Sequence, residues 1–325
     1  METVPVISVL LVAYNAGPFL RPALESLWNQ GFKDFEVVLV DNASTDSSVA
    51  DLPPEPRLRV ITLPRNVYQS GGWRAGVREC RGEFIALMDA DDLALPQRLE
   101  NQLAFLRAHG DFVAVGARAR TIDERDSTGA EYFVLTKERD IRDYAEFACP
   151  ILPGALLIRR EAMIAAELPI KWPQSADYDL VLRLLELGRV GCVDEVLYHY
   201  RQHSGSITSR RYLEQVALNC LVRLVAARRR AGKDERASEV EAEFSNWDDA
   251  VFSEKRLYAD FTRRYLNEGF IRPAILVARR ALFRGHLPAA FSLMRCVMRR
   301  SEAAEFWFRW RLALLGPLRV LEIRR

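Results

Sequence analysis

A chain of 325 residues, 49% hydrophobic and 28% charged, is long enough for a large α/β domain with a smaller second one, and its composition excludes disorder. A net charge of only +2 gives no whole-chain field for nucleic acid, and five scattered cysteines and four histidines exclude a disulfide framework and a His-rich metal centre. No basic stretch followed by an apolar one opens the chain, and no run of about 18 uncharged apolar residues occurs. The expectation is therefore a reduced, cytoplasmic protein without a secretory leader or a membrane span.

In chain order, residues 6–12 (VISVLLV) form a near-continuous β-branched apolar run, the mark of a strand buried on both faces. Residues 18–30 read as a helix, with Leu20, Leu24, Leu27 and Trp28 at helical spacing. Residues 35–40 (FEVVLV) and 58–62 (LRVIT) read as further buried strands, followed by a Gly-rich turn and short helix over 70–80. Residues 84–88 (FIALM) give a fourth strand, and 96–108 a helix opened by Pro96. Further strands are expected over 112–160, clearest at 154–158. An amphipathic helix over 176–187 stops at Gly188, and strand character returns over 190–200. Long Arg-rich helical patterns begin near 210. Alternating strands and helices predict a Rossmann-like, mostly parallel mixed sheet flanked by helices, an α/β fold, with a helical C-terminal region. Such sheets bind ligands at the carboxyl ends of their strands, which directs attention to 13–15, 41–46 and 89–92.

The sharpest motif is Asp89-Ala90-Asp91-Asp92, directly after the strand FIALM. Asp89 and Asp91 are two residues apart and share a side of an extended segment. Their hard oxygens suit Mg²⁺ or Mn²⁺ with positions left for a substrate diphosphate. Three acids solvating a loop would be the plainer account, but an apolar strand before them and a Pro-opened helix after them favour the metal. In VLVDNASTDSS (38–48), Asp41 ends a buried strand and suits a nucleobase or ribose, whereas Ser44 to Ser48 read as turn and cap residues. Gly71, Gly72 and Gly76 permit close backbone approach, and Arg74 suits a phosphate, although neither a GxGxxG nor a P-loop pattern is present. Asp177 and Asp179 open a helix. Asp179 reads as a cap or dipole partner. His203 gains weight only from its setting.

Residues 271–325 carry twelve arginines against three glutamates, a net +9 that leaves −7 for the rest. Within them EAAEFWFRWRLALLGPLRVLEIRR (302–325) interleaves Phe306, Trp307, Phe308 and Trp310 with Arg309 and Arg311. Such a segment suits a membrane interface with anionic lipid, and equally a helix packed on protein. Without an RNA-binding motif, nucleic acid ranks last.

Taken together these segments resemble the family 2 glycosyltransferases, inverting enzymes of the GT-A fold. The resemblance rests on ISVLLVAYNAGPFLRPALESLWNQ, FEVVLVDNASTDSS, GEFIALMDADDLALPQRLENQ, SADYDLVLRL and YRQHSGSIT, five pieces in order over roughly residues 5–208. It implies transfer of a hexosyl or deoxyhexosyl group from a UDP-, GDP- or dTDP-sugar to a glycan or lipid-linked acceptor in bacterial surface polysaccharide or lipopolysaccharide-type synthesis. A peripheral place at the inner face of the cell membrane would follow. It implies that Ala13, Tyr14, Asn15 and Asp41 hold the nucleoside, that Asp89 contacts the ribose or the metal region, and that Asp91 binds the metal. It also implies that Asp177 is the general base and that His203 supports the metal or the diphosphate. The implied division is a catalytic domain over 1–208, with a nucleotide-sugar half to about 110 and an acceptor half beyond it, and a helical, basic region over 209–325. Three positions depart from the family's pattern: Ala176 stands where a Glu often precedes the base, Tyr68 where a Gly often follows Asn66, and Arg74 where an Asn is common. Two other classes compete. A non-catalytic nucleotide-sugar-binding or scaffold protein would lack metal-dependent donor turnover, and a nucleotidyltransferase would consume nucleoside triphosphate, against the order of the segments.

Overall fold

The computed structural model describes residues 4–169, 171–203, 212–245 and 254–269, with Ala274 and Val277. The basic aromatic stretch 302–325, and residues 204–208 after His203, lie outside the described residues. The chain forms two compact units, one of Met1–Ala145 with Cys149–Ser209, the other of Glu146–Ala148 with Arg210–Arg325.

The first unit is built on a nine-stranded sheet. Its strands are β1 (Ile7–Ala13), β2 (Phe35–Asp41), β3 (Leu58–Thr62), β4 (Phe84–Asp89), β5 (Leu93–Ala94), β6 (Phe112–Ile122), β7 (Thr128–Tyr132), β8 (Leu157–Arg159) and β9 (Arg189–Arg201). The spatial order is β3-β2-β1-β4-β8-β6-β9-β5, with β7 on β6. The block β3-β2-β1-β4 is wholly parallel, and the rest is mixed: β8 is antiparallel to β4 and β6, whereas β6 and β9 run parallel. Because the chain lays β2 and β3 on one side of β1 and β4 on the other, a topological switch lies between β1 and β4, where such sheets open a ligand crevice.

The local structure follows from the apolar patterns. Every residue of β2 is buried, and in β1 only Val12 is less than fully so. Burying each Val, Leu or Ile there contributes roughly 1.5–3 kcal/mol. Helix α1 (Leu20–Trp28) follows a short 3-10 turn at Gly17–Phe19 and turns Leu20, Ala23, Leu24 and Leu27 inward. Helix α2 (Tyr68–Val77) lies against β1 and β2 so closely that a Cβ on Gly72 would come 2.5 Å from Val12 Cγ1, and one on Gly76 2.2 Å from Leu10 Cδ1. These glycines admit the sheet rather than a phosphate. Two further expectations are corrected. Strand β3 is a half-exposed edge strand with Val60 outward, not a buried one. The 112–160 region also contains a helix, α4 (Glu138–Ala145), after α3 (Arg98–Ala108). Helices α5 (Arg160–Ala165) and α6 (Ala176–Leu187) complete this unit.

The second unit contains α7 (Tyr212–Arg230), α8 (Ala237–Ser245) and α9 (Glu254–Asn267). Within it Val216, Leu221, Val222 and Val225 of α7 and Tyr258, Phe261 and Tyr265 of α9 are buried, and the Tyr265 hydroxyl donates to the Cys220 carbonyl at 2.6 Å. Among the described residues no helix is long and apolar enough to cross a membrane.

Candidate active site

The register places three strand tips side by side: Ala13 pairs with Asp41, and Val12 with Asp89. The loops leaving β1 and β2 are tied together. The Asn42 N–H donates to the Ala13 carbonyl at 2.8 Å. Asn15 Oδ1 accepts the Thr45 N–H at 2.7 Å and the Asp46 N–H at 3.3 Å, while its own N–H donates to Ser44 Oγ at 3.1 Å. Asn15 thereby braces the turn, and the buried Asp41 accepts the Ser44 N–H at 2.8 Å. Tyr14, beside them, is exposed. Left-handed conformations at non-glycine residues gather around this site, at Asn15, Ala43, Tyr68 and Ser175. Such strain is characteristic of functional loops over-determined by their surroundings.

At the tip of β4 the three acids have different settings. Asp89 accepts from Gln69 Nε2 at 3.1 Å, and its N–H donates to the Tyr198 hydroxyl at 3.2 Å. Burial, then the charges of Asp91 and Asp177, push its carboxyl up to about 7, against the opposing pull of Arg98 and Gln69. Asp92 is fully buried and accepts the Arg201 N–H at 2.7 Å; burial and its two acidic neighbours raise it well above the usual carboxylate range. Beneath them the fully buried Arg98 donates to the carbonyls of Leu87 at 2.6 Å and Gly154 at 3.1 Å, and stacks over the Tyr198 ring at 4.8 Å.

Asp91 points another way. Its side chain retains 34% exposure, and its Oδ2 lies 3.0 Å from His203 Nε2. The contact is a hydrogen bond or ion pair, and the same spacing would also suit two adjacent ligands of an octahedral ion at about 2.1 Å. Among the described residues no group of three or more His, Cys, Asp or Glu is gathered to hold a metal ion. An ion held by this pair would need water or a bound phosphate for the rest of its shell, as Mg²⁺ commonly does.

Asp177 stands in the first turn of α6, after Ser175 in a left-handed conformation with φ 62°. Its Oδ1 accepts the Tyr178 N–H at 2.8 Å, and burial raises its carboxyl above the ordinary value. The helix is locked by neighbours on either side. The Tyr178 hydroxyl donates to the Ala145 carbonyl at 2.5 Å, and fully buried Asp179 accepts from Trp172 Nε1 at 2.9 Å and Arg183 Nε at 3.1 Å. Asp179 is therefore a buried ion-pair partner in the first turn of α6, where a carboxylate also meets the helix dipole, and not a cap.

The fold thus brings Ala13, Tyr14, Asn15, Asp41, Asp89, Asp91 and His203 to one edge of the sheet, with Asp177 in electrostatic reach of Asp89. The Arg74 guanidinium, on the same helix as Gln69, donates to the Pro169 carbonyl at 3.4 Å. Gln69, Tyr198 and Arg201 meet the acidic motif without having been singled out from sequence. Each is an ordinary residue of its element, and only the pairing of β5 with β9, Leu93 opposite His199, carries the end of β9 to the motif.

Comparison with known proteins agrees with this geometry. Residues 8–164 match the family described as Glycosyl transferase family 2. The putative glycosyltransferase EpsE of Bacillus subtilis is 28% identical over 221 residues, 65% of this chain and 78% of that one. The amylovoran biosynthesis glycosyltransferase AmsE of Erwinia amylovora is 29% identical over 214 residues, 63% and 79% of the two chains. Among solved structures, residues 1–349 of S. aureus TarS in complex with UDP-GlcNAc align with a TM-score of 0.60 at 17% identity, covering 86% of this chain and 92% of that one. The mannosyltransferase PcManGT of Pyrobaculum calidifontis, in complex with GDP-Man and Mn²⁺, aligns with a TM-score of 0.53 at 17% identity, covering 100% and 89%. The sheet with its acid-tipped strands, the family match over residues 8–164 and these relatives together support a family 2 glycosyltransferase, on a fold shared with GT-A enzymes.

Proposed function

We propose that this glycosyltransferase is inverting and metal-dependent, and that it moves a hexosyl or deoxyhexosyl group from a UDP-, GDP- or dTDP-sugar to a hydroxyl of a glycan or lipid-linked acceptor. The observation that carries the reading is the convergence of carboxylates from separate elements: Asp89 and Asp91 at the β4 tip, and Asp177 on α6, close enough to help hold Asp89 up at about 7. The printed ligands of the structural neighbours, UDP-GlcNAc for one and GDP-Man with Mn²⁺ for the other, support a nucleotide-sugar donor and a divalent ion.

In this reading Ala13, Tyr14 and Asp41 receive the nucleoside and Asn15 braces their loops, with Asp89 toward the ribose. Asp91 and His203 would hold Mg²⁺ or Mn²⁺, which when bound neutralises charge on the donor diphosphate. Asp177 takes the proton of the acceptor hydroxyl as its oxygen bonds to the anomeric carbon. The bond from that carbon to the phosphate oxygen breaks at the same time, and its electron pair leaves with the nucleoside diphosphate. Attack from the face opposite the leaving group inverts the anomeric centre. A carboxylate raised by burial is a stronger base than an ordinary one, and such help is worth roughly 10²–10⁴-fold. A folded scaffold would gain nothing by burying Asp177 against its desolvation cost, which favours the catalytic reading over a non-catalytic one.

On the same reading, residues 1–208 are the catalytic domain, and the helical, basic region 209–325 supplies peripheral contact with the inner face of the cell membrane. The amylovoran-synthesis relative supports a role in bacterial surface polysaccharide or lipopolysaccharide-type glycan synthesis. The test is incubation with Mn²⁺ and a panel of UDP-, GDP- and dTDP-sugars. Release of nucleoside diphosphate from one donor, lost with EDTA and in Asp91→Ala, is expected. Absence of both release and binding for every donor would overturn the reading.

A further inference from the structure

Arg201 is an arginine that the fold encloses almost completely, with 1% of its side chain exposed. Burying a guanidinium is costly unless its donors are met. Two of its nitrogens are met by the backbone around the acidic motif and one turn, Nε donating to the Asp91 carbonyl at 2.6 Å and Nη1 to the Asp123 carbonyl at 2.8 Å, while Nη2 pairs in charge with Asp126 Oδ1 at 2.6 Å without a hydrogen bond. The Arg201 N–H reaches Asp92 at 2.7 Å. Its guanidinium also sits over the Phe19 ring at 4.9 Å, and the same ring packs on the His203 imidazole with centroids 4.8 Å apart. One side chain therefore fixes the main chain of Asp91, and a shared aromatic ring fixes the imidazole facing it. Phe19 closes the 3-10 turn that follows the β1 loop. It thus links the nucleoside-side loop to the Asp91–His203 pair.

We propose that Arg201, acting with Phe19, is a positioning residue that holds Asp91 Oδ2 and His203 Nε2 at ligand spacing, and so sets the affinity for a divalent cation. The proposal rests on the reading of that pair as the ion site. A merely structural Arg201, closing the turn at Asp123 and Asp126, would affect stability and leave ion affinity alone in any folded variant.

The experiment titrates Mn²⁺ into the purified full chain, alone and with UDP, GDP or dTDP, and reads free Mn²⁺ by electron paramagnetic resonance. Partners that orient metal ligands typically cost 10- to 100-fold in affinity when altered, so a Mn²⁺ dissociation constant raised by about that factor is expected for Arg201→Lys. Phe19→Leu, which keeps apolar volume but removes the shared ring, is expected to raise it several-fold. It carries the test if Arg201→Lys does not fold. Thermal midpoints taken without the ion separate misfolding from loss of affinity. If folded variants bind Mn²⁺ as the parent does while Asp91→Ala does not, the positioning role is overturned and the ion site stands. If Asp91→Ala also binds Mn²⁺ like the parent, the ion site itself is wrong, and the inference falls with it.

Discussion

Asp91 and His203, 112 residues apart in sequence, face each other at 3.0 Å across the carboxyl edge of the sheet. If they act as one ion-binding unit, their substitutions are not additive. Asp91→Ala and His203→Ala are each expected to weaken Mn²⁺-dependent nucleotide binding, and the double variant to be little worse than the poorer single one, a coupling within the 0.5–3 kcal/mol usual for interacting neighbours. Calorimetric titration of the four proteins completes the cycle. Full additivity would separate the two residues.

Asp177→Asn is expected to make the protein more stable at neutral pH. Burial raises the Asp177 carboxyl, so the folded chain binds its proton more tightly than the unfolded chain does. The resulting penalty is absent well below the ordinary carboxylate value of about 4. It grows as pH rises through the interval up to the folded-state value, and persists above it. Thermal midpoints across pH should show the variant melting higher at pH 7.5, with the gap closing toward pH 4. A variant that melts lower at neutral pH would show that the ionised carboxylate is stabilised where it lies.

Gly154 has a role visible only in three dimensions. A Cβ there would come 2.6 Å from Asp89 Oδ2 and 2.9 Å from the Tyr198 hydroxyl. Gly154→Ala is expected to displace the Asp89 carboxylate, costing about 1–3 kcal/mol by overpacking together with most donor binding. Denaturant midpoints and nucleotide titration would check both effects.

Tyr68 holds φ 60° at the start of α2 with its ring largely exposed. A left-handed conformation costs a non-glycine residue about 1–2 kcal/mol, partly offset in a glycine variant by greater freedom of the unfolded chain. Tyr68→Gly should therefore stabilise the protein by up to about 1 kcal/mol in denaturant titration. A loss of stability would mean that the ring packs usefully where it is.

Much of the nucleotide-side edge was legible in the sequence because its cause is local. A buried parallel strand is a continuous apolar run, and an acid placed directly after one, as Asp41 and Asp89 are, sits at a strand tip. The start of α6 at Asp177 was legible from helical periodicity for the same reason. Less could be read where the answer depends on pairing. Strand β3 has the apolar content of a buried strand, yet it lies at the sheet edge and turns Val60 outward. Helix α4 is only eight residues long and mostly charged, with Ile141 and Ala145 alone fully inward, so little apolar sequence marks it. Tyr198 and Arg201 reach the acidic motif only because β9 returns beside β5, and Gln69 reaches Asp89 from the first turn of α2.

The most direct test of the account compares Asp177→Asn with the parent for donor affinity and turnover, using whichever nucleotide sugar the parent consumes. With the ion pair of ligands and the base on separate elements, the donor dissociation constant should stay within about twofold, while sugar transfer falls by roughly 10²–10⁴-fold. Transfer retained at the parent rate, or donor affinity lost in step with turnover, would contradict the assignment of Asp177 as the base.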